Sequence, residues 1–307
     1  MTLKNKKIAV LKGGSGSERA VSLKSAESVI EALILLGAVI CDVDVTSAAF
    51  VVPDGAVIAV NMIHGTFGED GQLQRILEER GIPYTGAGVE SSRVAFDKFL
   101  SKEKFIAAGV PTPQSQTLKL DGIDALRLSL PVVVKPPREG SSVGVHIVRT
   151  AAELASALED AKRFGTETLV EEFIEGKELT VGVLGGVALP VIHIEPVSGF
   201  YDLNNKYPWM GGTGKTNYHC PATLDERTTK RVQDAALAAM KAVEVEVYGR
   251  VDIMLRNDGE PFVLEINTIP GMTTSSLLPK AARASGIEFP QLCERIIELS
   301  LVTRGRA

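Results

Sequence analysis

The sequence is short of the residues that build disulfide frameworks and cysteine metal sites. Its three cysteines, Cys41, Cys220 and Cys293, are odd in number, far apart and without a C-x-x-C pair. That excludes a disulfide scaffold and a cysteine zinc site, and it fits reduced thiols in a cytoplasm. No apolar run is long enough to span a bilayer. The run at 8–11, behind Lys4, Lys6 and Lys7, stops at Lys12, too soon for a signal peptide. An excess of one charge is also missing: 33 basic residues stand against 38 acidic ones, a formal net charge of −5 with no long run of either sign. Neither nucleic acid nor a membrane is therefore an expected partner, and small ligands are. What is present is ample core material, 45% hydrophobic and 23% charged over 307 residues. This excludes a disordered chain and a coiled coil, and suits two or three lobes.

Residues 7–11 read as a short buried strand, followed by the glycine-rich stretch 13–18 and a helical pattern over 19–36 that Gly37 stops. Strands at 39–45 and 57–63 follow. His64-Gly65-Thr66-Phe67-Gly68-Glu69-Asp70-Gly71 then leads into an amphipathic helix carrying Leu73, Ile76 and Leu77, which ends at Gly81. Strands alternating with helices imply an open parallel sheet, whose ligands bind beyond the carboxyl ends of the strands. Both glycine-rich loops fall there. A second unit starts near Ser91 with a helix through Ala108, a Pro111/Pro113 break, strands at 131–135 and 145–148, a helix over 151–164, and strands at 168–173 and 178–184. The remainder carries a helix over 224–243, a hairpin turning at Asn257-Asp258-Gly259 and a last helix from Phe289. The expected division is 1–90, 91–182 and 183–307.

The hairpin is the most informative stretch. A two-residue type I′ turn at Asp258-Gly259 sets Asp252 opposite Glu265 and Arg250 opposite Asn267, all four on one face. Val251, Ile253 and Leu255 then meet Ile266, Leu264 and Phe262 as core on the other. Two carboxylates and a carboxamide on a rigid hairpin are hard oxygen ligands that suit Mg²⁺ held together with nucleotide phosphates. The plain alternative is a solvated strand face with cross-strand ion pairs. The loop from Asn267 to Thr273 leaves this point at once, as ligand-holding loops do. Lys135 ends an apolar strand ahead of Arg138-Glu139-Gly140-Ser141-Ser142-Val143-Gly144, a loop whose N–H groups suit phosphate oxygens. Such a loop also serves as a simple hairpin turn.

Other signals are weaker. Gly14-Ser15-Gly16 imitates a dinucleotide fingerprint, with Asp42 or Asp44 as ribose acid, but Arg19 stands where the third glycine belongs. Gly214-Lys215-Thr216 imitates the end of a phosphate loop without its first glycine or its strand, and 199–219 reads instead as a lid. His64 suits either a substrate contact or a structural hydrogen bond. Glu18, at a helix N-terminus, complements the dipole or meets a substrate ammonium.

Taken together, GGSGSERAVSL at 13–23, HGTFGEDGQLQ at 64–74, YTGAG at 84–88, KPPREGSSVG at 135–144, NKY at 205–207, RVDIML at 250–255 and EINTIPGMTTSSL at 265–277 resemble the D-alanine:D-alanine ligases of the ATP-grasp superfamily. The resemblance implies an α/β fold of three lobes. In this ATP-grasp architecture an N-terminal, Rossmann-like parallel-sheet domain precedes two α+β lobes that sandwich ATP. By that resemblance Lys98, Lys135, Ser141 and Ser142 would contact ATP phosphates, with Glu171, Phe173 and Ile174 on adenine and Glu178 on ribose. Asp252, Glu265 and Asn267 would hold Mg²⁺ (or Mn²⁺). Glu18 would bind the ammonium of the first D-alanine with His64 nearby, and Lys206, Ser276 and Leu277 would receive the second. Arg250 and the Gly271 backbone would stabilise oxyanion charge. Ser141, Tyr207 and Glu18 would form a hydrogen-bonded set that closes the lid.

The implied reaction is ATP-dependent joining of two D-alanines through an acyl phosphate, supplying peptidoglycan precursors in the cytoplasm, with the enzyme a homodimer. The lid is richer in glycine than the family's usual form and carries Lys215, expected to reach toward ATP. Two alternatives share the scaffold. A D-alanine:D-lactate ligase differs in its acceptor, and a non-catalytic nucleotide-binding regulator would lack the metal residues or Arg250.

Overall fold

The first strand, β1 (Lys7–Gly13), carries Ile8, Ala9, Val10 and Leu11 with no solvent exposure. A strand buried on both faces belongs inside a parallel sheet covered by helices. In the computed structural model, which describes residues 2–16, 18–120, 126–197 and 215–305, β1 is central to such a sheet. It pairs in parallel with β2 (Val39–Val45) on one side and β3 (Ile58–Asn61) on the other. Helix α1 (Arg19–Leu35) makes the first crossover and ends in a Schellman motif. Gly37, at φ 77°, lets its own N–H reach Ile34 and that of Ala38 reach Leu33. Helix α2 (Gln72–Glu79) buries Leu73 and Leu77, the apolar stripe legible in its sequence.

The helix expected over 91–108 is two helices, α3 (Val89–Phe96) and α4 (Lys98–Ala107). Asp97 between them is extended and accepts hydrogen bonds from the N–H groups of Phe99 (3.0 Å) and Leu100 (3.4 Å). An aspartate N-cap here outweighs an apolar period that would have run on. The break aims Lys98 and Lys102, one turn apart, toward the next sheet. That sheet is antiparallel and is formed by β4 (Ser115–Lys119), β5 (Val132–Lys135), β6 (His146–Val148) and β7 (Glu167–Glu172), in the order β4-β7-β5-β6. Strand β4 was not expected, because SQTLK offers only Gln116 and Leu118 to the interior. Helix α5 (Ala151–Ala161) starts with a capping box at Thr150 and Glu153, and Lys162–Phe164 is a 3₁₀ turn beyond it.

The third sheet contains β8 (Gly176–Leu184), β9 (Val187–Ala188), β10 (Ile192–Pro196), β11 (Thr216–His219), β12 (Tyr248–Arg256) and β13 (Pro261–Asn267). Its order is β11-β10-β8-β12-β13, with β9 paired to β8. Strand β8 lies wholly in this sheet, so a division at 182/183 falls inside a strand. Residues 216–219, read from sequence as the end of a lid, pair with β10 instead. Helices α6 (Glu226–Ala242), α7 (Leu277–Ala284) and α8 (Phe289–Arg304) complete the fold.

The first and third sheets share one core. Ile8, Val29 and Leu33 pack in the same buried cluster as Leu278, Phe289, Leu292 and Ile296. The link at 84–91 is clamped to the C-terminal helix by Arg304. Its guanidinium lies 4.8 Å from the centroid of the Tyr84 ring, donates to the Gly86 carbonyl (2.7 and 2.9 Å) and pairs with Glu246 at 3.1 Å. Among the described residues no helix is long and apolar enough to cross a membrane.

Candidate active site

Strands β12 and β13 set Asp252 opposite Glu265, Val251 opposite Ile266 and Arg250 opposite Asn267, as the sequence suggested, but for a different reason. The turn is not a two-residue I′ turn. Arg256 N–H donates to Glu260 and Gly259 N–H to Arg256, so 257–259 form a three-residue loop with Gly259 at φ 84°. That loop pairs Ile253 with Val263 and Met254 with Phe262, one residue off the expected register. A bulge between Asp252 and Ile253 absorbs the difference. Pro261, Val263 and Ile266 are therefore the buried residues of β13. Leu264, expected in the core, instead faces the cleft beside Glu265.

That cleft has a volume of about 560 Å³ and lies between the second and third sheets. It collects Lys98, Lys135, Ser142, Glu171, Phe173, Ile174, Glu178, Asp252 and Glu265, residues from both sheets and from α4. Val133, Ile147, Met254 and Leu264 add apolar walls that sequence reading did not single out. Arg149 was missed as well, and its guanidinium lies 5.2 Å from the Phe173 ring centroid. Apart from Met254 in RVDIML, no local motif marks these residues. They become neighbours only when two sheets face each other.

Asp252 is nearly buried and fully engaged. Arg250 donates to both its oxygens at 2.9 and 2.8 Å, Thr180 Oγ1 donates at 2.6 Å and the Asn267 amide at 3.0 Å. Glu265 pairs with Lys98 at 3.2 Å, and the same ammonium donates to the Glu139 carbonyl at 2.7 Å. Burial, with Glu18 adding to it, raises the Glu139 carboxyl above the ordinary range. Among the described residues no group of three His, Cys, Asp or Glu side chains could hold a metal by itself. Asp252, Glu265 and Asn267 are two carboxylates and a carboxamide, short of a full shell. That donor set fits Mg²⁺ completed by phosphate oxygens and water.

At the other end of the cleft the N-terminal lobe meets the serine loop. Ser141 Oγ donates to Glu18 Oε1 at 2.5 Å. Two glycines make room for Glu18. A Cβ on Gly65 would lie 2.5 Å from its carboxylate and one on Gly140 would lie 2.9 Å away. Ser141 and Ser142 both sit in the left-handed region, at φ 53° and 59°, a backbone strain of the kind concentrated at ligand loops.

His64 is buried. Ser25 Oγ accepts the Met272 N–H at 3.2 Å, which leaves its own proton for His64 Nε2 at 3.1 Å, while the ring also engages the Ile269 backbone. Burial lowers the imidazole pKa against the opposing pull of Glu18, so the ring is neutral and serves as a hydrogen-bonding strut. Beside it, Glu69 accepts the N–H of Gly65 (2.7 Å) and of Ile269 (3.0 Å), a role its sequence position did not reveal. His64, Ser25 and Glu69 thus tie the N-terminal lobe to the 269–272 loop that carries Gly271. Ser276 stands just ahead of α7, and its Oγ accepts the Thr273 N–H at 3.1 Å and lies 3.0 Å from where a Gly271 Cβ would stand. Leu277 follows, buried. Lys206 and Tyr207 lie outside the described residues. Lys215 is exposed, and its carbonyl accepts the Val197 N–H at 2.8 Å where β10 and β11 come together.

Burial, together with Glu18, pushes the Glu69 carboxyl up to about 8 from an ordinary 4.5. The folded protein then holds a proton that the unfolded chain releases near 4.5. This stabilisation is full below that pH and fades as pH rises through about 8. Glu69→Gln should flatten the fall in unfolding free energy across that window, a slope of up to about 1.4 kcal/mol per pH unit. Urea denaturation at several pH values measures it, and an unchanged slope would place the charge elsewhere.

The dinucleotide reading fails on its own residues. Arg19, in place of the third glycine, forms a bidentate pair with Asp44 (2.9 and 2.6 Å), and Lys12 holds Asp42 at 2.5 Å. Thr216 opens a strand, whereas the phosphate-loop reading needs a helix there.

A family model described as D-ala D-ala ligase C-terminus matches residues 107–298. The D-alanine–D-alanine ligase of Methylacidiphilum infernorum (isolate V4) is 50% identical over 293 residues, 95% of each chain. Among solved structures, the D-alanine–D-alanine ligase of Bacillus anthracis superposes with a TM-score of 0.86 at 36% identity, covering 97% of this chain and 98% of that one. Its complex with ATP gives 0.83 at 34%, covering 98% of each. The matches to these ligases cover nearly the whole length of this chain and of the relatives, and the chain belongs to the D-alanine–D-alanine ligase family.

Proposed function

We propose that this protein joins two D-alanines into D-alanyl-D-alanine at the expense of ATP, as a step in peptidoglycan precursor synthesis. The observation that carries the reading is the 2.5 Å contact between Glu18 and Ser141, which joins an amino-acid pocket on one lobe to the phosphate loop of another. ATP enters the 560 Å³ cleft with its base against Phe173, Ile174, Met254 and Leu264 and its phosphates toward Lys98 and Lys135. Mg²⁺ at Asp252, Glu265 and Asn267 would offset phosphate charge.

Glu18 receives the ammonium of the first D-alanine. The carboxylate oxygen of that D-alanine attacks the γ-phosphorus, the bond to ADP breaks, and D-alanyl phosphate forms under Lys98, Lys135 and Arg250. The second D-alanine must attack as a free amine, so its ammonium first gives up a proton. Ser141, Glu18 and Tyr207 orient it. Attack on the acyl carbon builds oxyanion charge that Arg250 and the Gly271 N–H stabilise, and loss of phosphate leaves the dipeptide. Exclusion of water protects the acyl phosphate meanwhile. A homodimer belongs to the same reading and is measured by light scattering.

The test is incubation with Mg-ATP and D-alanine, following phosphate and dipeptide, with L-alanine, D-lactate and no-substrate controls. Both products, formed only with D-alanine, are expected. A depsipeptide formed from D-lactate in preference would assign the acceptor differently. ATP bound without any turnover would make the protein a regulator.

A further inference from the structure

Helix α4 presents two lysines one turn apart, and only the first reaches the cleft. Lys102, 4% exposed, points beneath it. Its ammonium donates to Thr112 Oγ1 at 2.8 Å and to the Pro113 carbonyl at 3.1 Å, and it pairs with Glu171. Thr112 Oγ1 in turn donates to the Val263 carbonyl at 2.7 Å. Two protons of the ammonium have hydrogen-bond acceptors in Thr112 and Pro113 and its charge is paired with Glu171, so Lys102 is fixed in place. The other oxygen of Glu171 pairs with Lys135, whose side chain lines the cleft. One buried carboxylate thus serves two lysines, one locked into the fold and one at the edge of the ligand space.

We propose that Lys102 is a positioning residue for nucleotide binding, the permanent counter-ion of Glu171 that frees Lys135 to move onto phosphate. The three groups carry a net charge of plus one. When Lys135 turns to a phosphate oxygen, Glu171 keeps Lys102 and remains paired. Without Lys102, Glu171 and Lys135 form a neutral buried pair, and each step of Lys135 toward phosphate strips a buried carboxylate of its only cation, the costly half of a broken ion pair. Burial raises the Glu171 carboxyl, but Lys135 and Lys102 together outweigh it and hold it below its usual range, so Glu171 is a carboxylate at neutral pH, while burial lowers the Lys102 ammonium against the pull of that carboxylate. Lys102 touches no ligand. Its effect on ATP runs through Lys135.

The inference rests on the ATP reading above, and its test separates the two. In the full-length protein, Lys102→Met should weaken ATP and ADP, measured by calorimetry with Mg²⁺, at least tenfold. Adenosine, which offers no phosphate, should change less than threefold, and kcat at saturating ATP should stay within threefold while the KM for ATP rises. In Lys102→Met/Glu171→Gln the carboxylate that traps Lys135 is gone, and the ratio of ATP to adenosine affinity should return toward that of wild type. This double variant leaves no buried carboxylate unpaired, and the Lys135 ammonium opens on the cleft, so it carries the comparison if the single one does not fold. Unchanged ATP affinity in Lys102→Met, equal weakening of ATP and adenosine, or no recovery of the ratio in the double variant would overturn the proposal. Wild-type protein that binds no ATP would overturn the nucleotide reading, and the proposal with it.

Discussion

Asp252→Asn should lower kcat on the order of 1000-fold, about 4 kcal/mol of transition-state stabilisation, while leaving the fold intact. The carboxylate is held by the Arg250 fork, Thr180 and Asn267. Asparagine has the same size and still accepts from Thr180, so packing survives. The charge does not. A hard dication loses one of its two carboxylates, and the Arg250 guanidinium loses its buried counter-charge at the point where oxyanion charge must be met. The accompanying sign should be a higher Mg²⁺ concentration for half-maximal rate, with the thermal midpoint shifted by a few degrees at most. A kcat within tenfold of wild type would remove Asp252 from the charge-bearing set.

Glu18→Gln should reduce kcat/KM for the first D-alanine by about 100-fold and leave the KM for ATP within threefold. An amide oxygen still accepts the Ser141 hydroxyl and fits between Gly65 and Gly140, so the contact between lobes persists. The ammonium of the first substrate loses its ion partner, and charge-assisted hydrogen bonds are worth about 1.5–3 kcal/mol, or roughly 10- to 100-fold in affinity. Initial rates over a wide range of D-alanine separate the two amino-acid sites. An equal rise in both KM values, or a matching rise for ATP, would mean that Glu18 holds the lobes together and does not recognise substrate.

The sequence made some parts of this site legible and hid others, for physical reasons. Periodicity and turn residues act over a few positions, so β1, α1, α2 and the long hairpin could be read directly. Asp97 broke a helix because a local cap outweighed the apolar period. Lys102 and Ser25 left no trace and Glu69 stood in a quoted motif without a role, since their partners lie in distant segments that meet only through tertiary packing. Lys135, Asp252, Glu265 and Asn267 could be singled out because a strand end, a glycine loop and a hairpin bring chemistry and backbone form together in one short stretch, whereas Glu171 entered only through the family resemblance. The register of β12 and β13 is the instructive case. The pairing at the site was right, although the turn beside it was not of the type assumed.

That pairing has a consequence for how the hairpin tolerates insertions and deletions. As long as Arg256 keeps Glu260, the loop at 257–259 can gain or lose a residue without a change at Asp252, because the ladder beyond is already established. The bulge reconciles that loop with the site: Leu264 is the extra residue of β13 between Val263, opposite Ile253, and Glu265, opposite Asp252. Deleting Leu264 would leave a regular ladder in which Asp252 still faces Glu265, Val251 faces Ile266 and Arg250 faces Asn267, whereas deleting Ile266 would carry Asn267 from the cleft face to the core face. Length variation in this hairpin is therefore permissive at its tip and at its bulge, and forbidden in the paired stretch beyond them.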